Sequence, residues 1–421
     1  MSKALTRRRF LSGTAAAVAA PYVIPSAALG LGAEPAPSNR IGLGAVGLGA
    51  RNGSGRLAAG GVAQVTAVCD VVREKREGTR QRIGKGCKAY NDFRDVIADP
   101  NVDALTIATP EHWHVIPAVM AAKAGKDAYV EKPLGLTIHE GRVLVETFER
   151  YGAVFQHGTQ LRRSGANRHA VELILNGRIG KVHTVEVGSR GGSYCAWEKS
   201  ESVPEGLDYE LFLGQAPWAP YCPHRVGVRG GRPWTFIHDY AGGFVTAAGI
   251  HYIDLAQLGM GADDTGPVEA EGEGVYPKDG LFDTPLTWRV EYRYANGVKL
   301  IYTDNRKCAE GARFIGTEGW IHLGTGAPRA EPASVLSSEI VPGEVRLPPA
   351  SGHGFIDCIR SREQTSCPPE AAHRSTTVCH LANICMLLGR KVRWDPQKER
   401  FIDDPEADGM LCRAMRSPWR L

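Results

Sequence analysis

The feature that most limits how this chain can fold is a glycine turn, Gly47-Leu48-Gly49, placed between a short apolar strand from Ile41 to Val46 and a helix reaching about Ala59. A second strand, Val62 to Cys69, ends on Asp70, 21 residues after Gly49. In that order the first glycine permits a tight turn, and the second lets backbone amides approach a pyrophosphate at the start of a helix. The acid at the end of the second strand is placed to accept hydrogen bonds from both adenosine ribose hydroxyls and to repel a 2′-phosphate. This favours NAD; Arg73 nearby leaves NADP as the less favoured alternative. Asn52 stands where a third glycine is usual. It is small and tolerates a left-handed backbone, so a local adjustment of the loop is expected. A literal G-x-G-x-x-G beginning at Gly42 lies mostly within the strand and is the wrong register.

The same rhythm continues. Helical patterns at 92–98, 115–124 and 138–151 alternate with apolar strands at 104–108, 128–130 and 154–156. Repeated β-α units imply a doubly wound parallel sheet of Rossmann type, with ligands at the carboxyl ends of its strands. After about His157 the pattern changes to alternating β segments separated by Gly, Asn and Pro turns, including 182–189, 286–294 and 299–303. Helices are expected at 167–175, 244–258 and 371–388, and a hairpin with Asn296-Gly297 at its tip. The expected second domain is therefore α+β with a largely antiparallel sheet. With 421 residues the chain has room for two such domains, taken as 38–157 and 158–421 behind a leader of 1–33.

That leader carries Lys3, Arg7, Arg8 and Arg9, so the formal charge of +4 overstates the basicity of the rest, which is near neutral. Nothing resembles a basic face for nucleic acid. Thr6-Arg7-Arg8-Arg9-Phe10-Leu11 reads as a twin-arginine export signal, followed by a mild alanine-rich stretch too short and too weakly apolar to span a membrane. The expected partner is the twin-arginine machinery and the expected location periplasmic or exported. The ten cysteines (Cys69, Cys87, Cys195, Cys222, Cys308, Cys358, Cys367, Cys379, Cys385 and Cys412) form no C-x-x-C pair. They suit neither a metal cage nor a disulfide scaffold, so no metal site and few disulfides are expected.

Further motifs follow in a fixed order: Thr109-Pro110-Glu111-His112-Trp113-His114, Glu131-Lys132-Pro133, Gly158-Thr159-Gln160, and Gly249-Ile250-His251-Tyr252-Ile253-Asp254. Together with Phe355 to Arg362 and His373-Arg374-Ser375 they resemble the glucose–fructose oxidoreductase / inositol dehydrogenase (Gfo/Idh/MocA) family, in its exported branch. The resemblance implies an NAD(P)-dependent oxidoreductase, homo-oligomeric in the family's manner, acting on a hydroxyl of a sugar, polyol or glycoside. It implies that Lys132 bridges the nicotinamide ribose and the substrate hydroxyl, with His251 as acid/base. Thr109, Pro110, His114 and Glu131 would flank the cofactor, and Gln160, Arg162 and Asp254 the substrate. A base within reach of the hydroxyl and a cation for the alkoxide are what hydride removal from a carbinol requires. His112 and Trp113 are equally suited to packing and to substrate contact.

One departure stands out. The family commonly carries an aspartate four residues before the histidine, on the same helical face; here that residue is Ala247. Asp254, Asp239 or Tyr240 are candidates to replace it. Two alternatives to simple dehydrogenation follow: a redox-neutral NAD-dependent glycosidase (oxidation, elimination, hydration, re-reduction), and a non-catalytic sugar- or NAD-binding protein. An exported enzyme meets no free nicotinamide pool, so its cofactor is expected to stay bound.

Overall fold

The computed structural model describes residues 36, 39–227, 231–348 and 354–421; the twin-arginine segment lies outside them. The first half is a parallel sheet of β1 (Ile41–Val46), β2 (Ala63–Cys69), β3 (Lys88–Tyr90), β4 (Ala104–Ile107), β5 (Asp127–Val130) and β6 (Phe155–His157). Their spatial order is β3-β2-β1-β4-β5-β6, with every pair parallel. The chain reverses direction across the sheet between β1 and β4, the point at which such folds bind ligands. The central strands are apolar throughout because helices cover both faces. The helix Arg73–Ile83 and the short β3 complete this half beyond the sequence expectation. That helix buries none of its residues, so it carries no apolar stripe from which a sequence could announce it.

The second half is a nine-stranded sheet whose pairs are antiparallel except for β7 (Val182–Ser189) against β10 (Lys299–Asp304). The expected hairpin joins β9 (Thr287–Arg293) to β10, and Gly297 adopts φ +87° at its tip. One face of the sheet packs on the helices Ile250–Gly259 and Pro369–Leu388 in a single large core. The helix Pro369–Leu388 is buried almost all round because the cofactor half covers its other side. There Gly141, on the helix Ile138–Tyr151, lets His373 come so close that a Cβ would lie 2.4 Å from its Nδ1. His373 in turn meets Glu399 at 2.6 Å, which also pairs with Arg142 and Arg374. The polypeptide finally returns to the cofactor half. Trp419 packs edge-on against Trp113 (4.7 Å between centroids) and beside Phe93, with Arg94 over its ring.

The expected helix over 244–258 is interrupted. It forms as Gly243–Ala247 and Ile250–Gly259. The Tyr302 hydroxyl, from β10, donates to the Val245 carbonyl at 2.9 Å, and the Gly249 amide bonds instead to Phe244 O, five residues back, at 3.0 Å. A side group inserted into the i→i−4 ladder is a sufficient cause of such a break. A Cβ on Gly249 would sit 1.8 Å from the Tyr302 oxygen and 2.5 Å from Val245 O. Ala247 and His251 therefore belong to different helices, which corrects the expectation that they share one face. Gly249→Ala is expected to destabilise the protein by about 1–3 kcal/mol through overpacking, read as a lower urea midpoint with an unchanged slope.

Candidate active site

A cavity of about 740 Å³ opens at the carboxyl ends of β1, β2, β4 and β5. The glycine turn forms one wall. Gly47 has φ +79°, and a Cβ there would lie 2.7 Å from the Ala108 carbonyl, so only glycine fits. Around Gly49 a Cβ would meet nothing within 4 Å: the loop leaves open space for a ligand's close approach. Asn52 does not line the cavity; it braces the loop. Its amide donates to Gly47 O at 2.8 Å, and its carbonyl oxygen accepts from the Ser54 amide at 3.0 Å ahead of the helix Ser54–Ala58. Asp70 is held at the end of β2 by the amides of Leu48 (2.8 Å) and Val72 (2.9 Å), and it lines the cavity. Arg73 turns away to an exposed pair with Glu205 at 3.4 Å, whereas Lys75 reaches the cavity.

At the other end Thr109, Pro110, His114, Glu131 and Lys132 all line the same space. Thr109 lines the cavity, and its buried Oγ1 has no hydrogen-bond partner among the described residues. His114 has partners at both ring nitrogens: its Nδ1 contacts Pro133 O at 2.6 Å and its Nε2 Thr109 O at 3.0 Å. It fastens the turn after β4 to the turn after β5. Lys132, 7% exposed, donates from Nζ to the carbonyl of Ala247 in the second half. Burial drives the Lys132 ammonium down from its usual range, with Glu111 opposing the shift and Arg232 adding to it.

The second half closes the cavity with Phe212, Val226, Arg232, Trp234 and Ala247. The segment before Phe212 is tied to the loop after β2: Arg73 N–H donates to Gly206 O at 2.8 Å and Asp208 N–H to Val71 O at 3.0 Å. His112 and Trp113 pack against this segment. The indole N–H bonds the carbonyls of Leu211 and Phe212 (3.0 and 3.1 Å), and His112 Nε2 meets Phe212 O at 2.9 Å.

The residues expected around the substrate separate. His251 is not among the cavity's lining residues. Its Nδ1 is buried without a partner among the described residues, and burial, then Lys132, Arg51 and Arg232, bring the imidazole down to about 3. Gln160 lies exposed on a turn beside a second cavity, bounded by Arg56, Arg163 and Phe355. Arg162 and Asp254 are corrected outright from substrate contacts to interior structure. Arg162 is 2% exposed and bonds Asp254 through Nε at 2.7 Å and Asp263 through both terminal nitrogens at 2.6 Å. Asp254, fully buried, also accepts from Ser375 Oγ at 3.0 Å. It therefore cannot stand in for the aspartate missing at Ala247. The residues that sequence reasoning missed are Glu111, Arg51, Lys75, Arg232 and Trp234. Arg51, two residues after Gly49, was within reach of a reading of the loop as an anion site; Arg232 and Trp234 come from a distant loop with no motif.

Residues 41–159 match the family description "Oxidoreductase family, NAD-binding Rossmann fold", and residues 193–421 match "Oxidoreductase family, C-terminal alpha/beta domain". The chain belongs to the Gfo/Idh/MocA oxidoreductase family, and its cofactor is NAD. Among similar proteins, the scyllo-inositol 2-dehydrogenase (NAD(+)) of Bacillus subtilis is 26% identical over 66% of this chain and 70% of its own. The myo-inositol 2-dehydrogenase of Thermotoga maritima is 29% identical over 34% of this chain and 40% of its own. This chain thus spans less than half of some curated relatives that it matches, 34% and 40% in two cases. The WlbA dehydrogenase of Bordetella pertussis, solved with NADH and UDP-GlcNAcA, shares the fold with a TM-score of 0.62 at 18% identity, over 85% of this chain and 99% of that one. The glycine turn, the open space at Gly49, Asp70 and the unpartnered Thr109 hydroxyl fit NAD along the length of the cavity.

Two outcomes check this assignment. Asp70→Ala should weaken NAD binding by about 1.5–3 kcal/mol, the worth of hydrogen bonds to a charged group, measured by calorimetric titration. Asp254→Ala should instead lower stability by about 3–5 kcal/mol, because it leaves Arg162 buried beside an empty partner position, while NAD affinity of the folded protein is unchanged.

Proposed function

We propose that the protein oxidises a hydroxyl of a sugar, polyol or glycoside with NAD that stays bound between turnovers. The observation that carries this reading is the position of Lys132: a buried ammonium, in a family of oxidoreductases, in the same cavity as the dinucleotide turn. The names of the inositol dehydrogenases among its relatives support the substrate class. Bound NAD supplies a hydride acceptor. Lys132 orients the hydroxyl and stabilises the alkoxide that develops as hydride leaves. With one ammonium proton donated from Nζ to Ala247 O, it has its remaining protons for the cavity. The hydrogen bonds between Gly206, Asp208 and the loop after β2 support retention, since they lie across the adenosine side. The twin-arginine sequence supports export of the loaded protein.

Ala247 on the cavity wall favours a second reading, the redox-neutral glycosidase cycle, because a methyl leaves space where an aspartate would stand. Native mass spectrometry should find NAD bound in the purified protein. Incubation with a panel of polyols and glycosides should then produce NADH absorbance for net oxidation, or release of the aglycone without it for the cycle. Lys132→Met should slow either by roughly 10²–10³-fold, the range for removing a donor that stabilises a developing oxyanion, with NAD still bound. Apo protein that takes up no NAD, or full activity in Lys132→Met, overturns the proposal. Replacing Arg7 and Arg8 by lysine should hold the protein inside the cell, as fractionation would show.

A further inference from the structure

Among the described residues, Glu111 is the one carboxylate that touches both the cavity and the turn leading to Ala247. It is 2% exposed, at the carboxyl end of β4, directly after Thr109-Pro110. Its Oε2 accepts from the Gly242 amide at 3.1 Å and from the Thr246 hydroxyl at 3.2 Å. These two residues flank the start and end of the short helix whose last carbonyl, that of Ala247, receives the Lys132 ammonium. Oε1 accepts no hydrogen bond from the described residues, and the Lys132 ammonium donates to Ala247 O rather than to Glu111, though both residues line the cavity. A carboxylate oxygen and an ammonium that face one space without closing on each other leave a position for a hydroxyl between them.

Resting on the oxidoreductase reading above, we propose that Glu111, rather than His251, takes the proton from the substrate hydroxyl. The C–H bond of the carbinol gives its hydride to the bound nicotinamide, and the O–H bond gives its proton to Oε1 of Glu111. The carbinol becomes a carbonyl and NAD is reduced. Passage of the proton from Glu111 to solvent restores the carboxylate. Lys132 holds the oxygen throughout and keeps its own proton.

Two further observations agree. His251 is not among the residues that line the cavity, and burial, then the charges of Lys132, Arg51 and Arg232, lower its imidazole. Burial raises the Glu111 carboxyl well above the ordinary carboxylate range, against the pull of its bond from Gly242 and of the Lys132 charge, so its basicity suits proton exchange near neutrality. The groups that set this balance are Lys132 at the end of β5, Arg232 on the covering loop, Cys379 on the helix Pro369–Leu388 and Arg413 in the returning segment. Glu111 thus supplies the carboxylate that Ala247 lacks, from the other half of the molecule.

The test uses the NAD-loaded full chain and Glu111→Gln, whose amide oxygen still accepts from Gly242 and Thr246. The variant should keep its melting temperature and its NAD affinity but transfer hydride at least about 10²-fold more slowly and lose the acidic limb of the rate–pH profile. Infrared difference spectra should show a carboxyl band that titrates above the ordinary range in the wild type and is missing from Glu111→Gln. Glu111→Ala should recover part of its rate on addition of formate. A wild-type rate and pH profile in Glu111→Gln, or the absence of such a band, overturns the inference. Wild-type protein that forms no NADH and cleaves no glycoside would sink the oxidoreductase reading itself; the infrared titration then decides separately whether Glu111 is the group poised to exchange a proton.

Discussion

A buried ammonium must have an acceptor, and here the acceptor lies in the other half of the molecule. Lys132 stands at the end of β5 and donates to the carbonyl of Ala247, at the end of a helix in the second half. That carbonyl is available because the helix stops there. It stops because Tyr302 takes the Val245 acceptor and Gly249 turns to Phe244. The geometry of the reacting end of the cavity therefore depends on a tyrosine of the nine-stranded sheet. Charge and hydrogen bonding at Lys132 are decided by a packing event a layer away.

Much of this was legible in the sequence, and the reasons differ residue by residue. The glycine turn and Asp70 could be read because their roles are local: a left-handed φ at Gly47 and two amide bonds at a strand end need only neighbours in the chain. The strands of the parallel sheet other than β3 could be read because burial on both faces makes the central ones apolar. The helix Arg73–Ile83 could not, since it buries no residue fully and carries no apolar stripe. Arg162 and Asp254 misled for a related reason. A motif records that a charge is present, not whether it faces a ligand or another charge, and theirs are spent on each other and on Asp263. The break at Gly249 was invisible because its cause, Tyr302, is distant in sequence.

Glu111 illustrates the same limit from the other side. It lies in a motif whose His112 and Trp113 are tied to the segment around Phe212, and nothing in the string Glu111-His112-Trp113-His114 distinguishes the carboxylate that faces the cavity from its neighbours. Its meaning comes from Gly242 and Thr246, far along the chain. The absence of an acid at Ala247 and the presence of one at Glu111 are thus two views of a single cavity wall, built from opposite halves.

The packing of Trp419 against Trp113 and Phe93 carries a consequence for how the molecule is made. The dinucleotide-binding half borrows part of its core from residues that follow the entire second sheet in the sequence. During synthesis that half emerges first, yet it cannot bury the Trp113 ring until the returning segment arrives. The two halves are therefore not successive folding units: the first must wait, with an aromatic face open, for the last residues to close it.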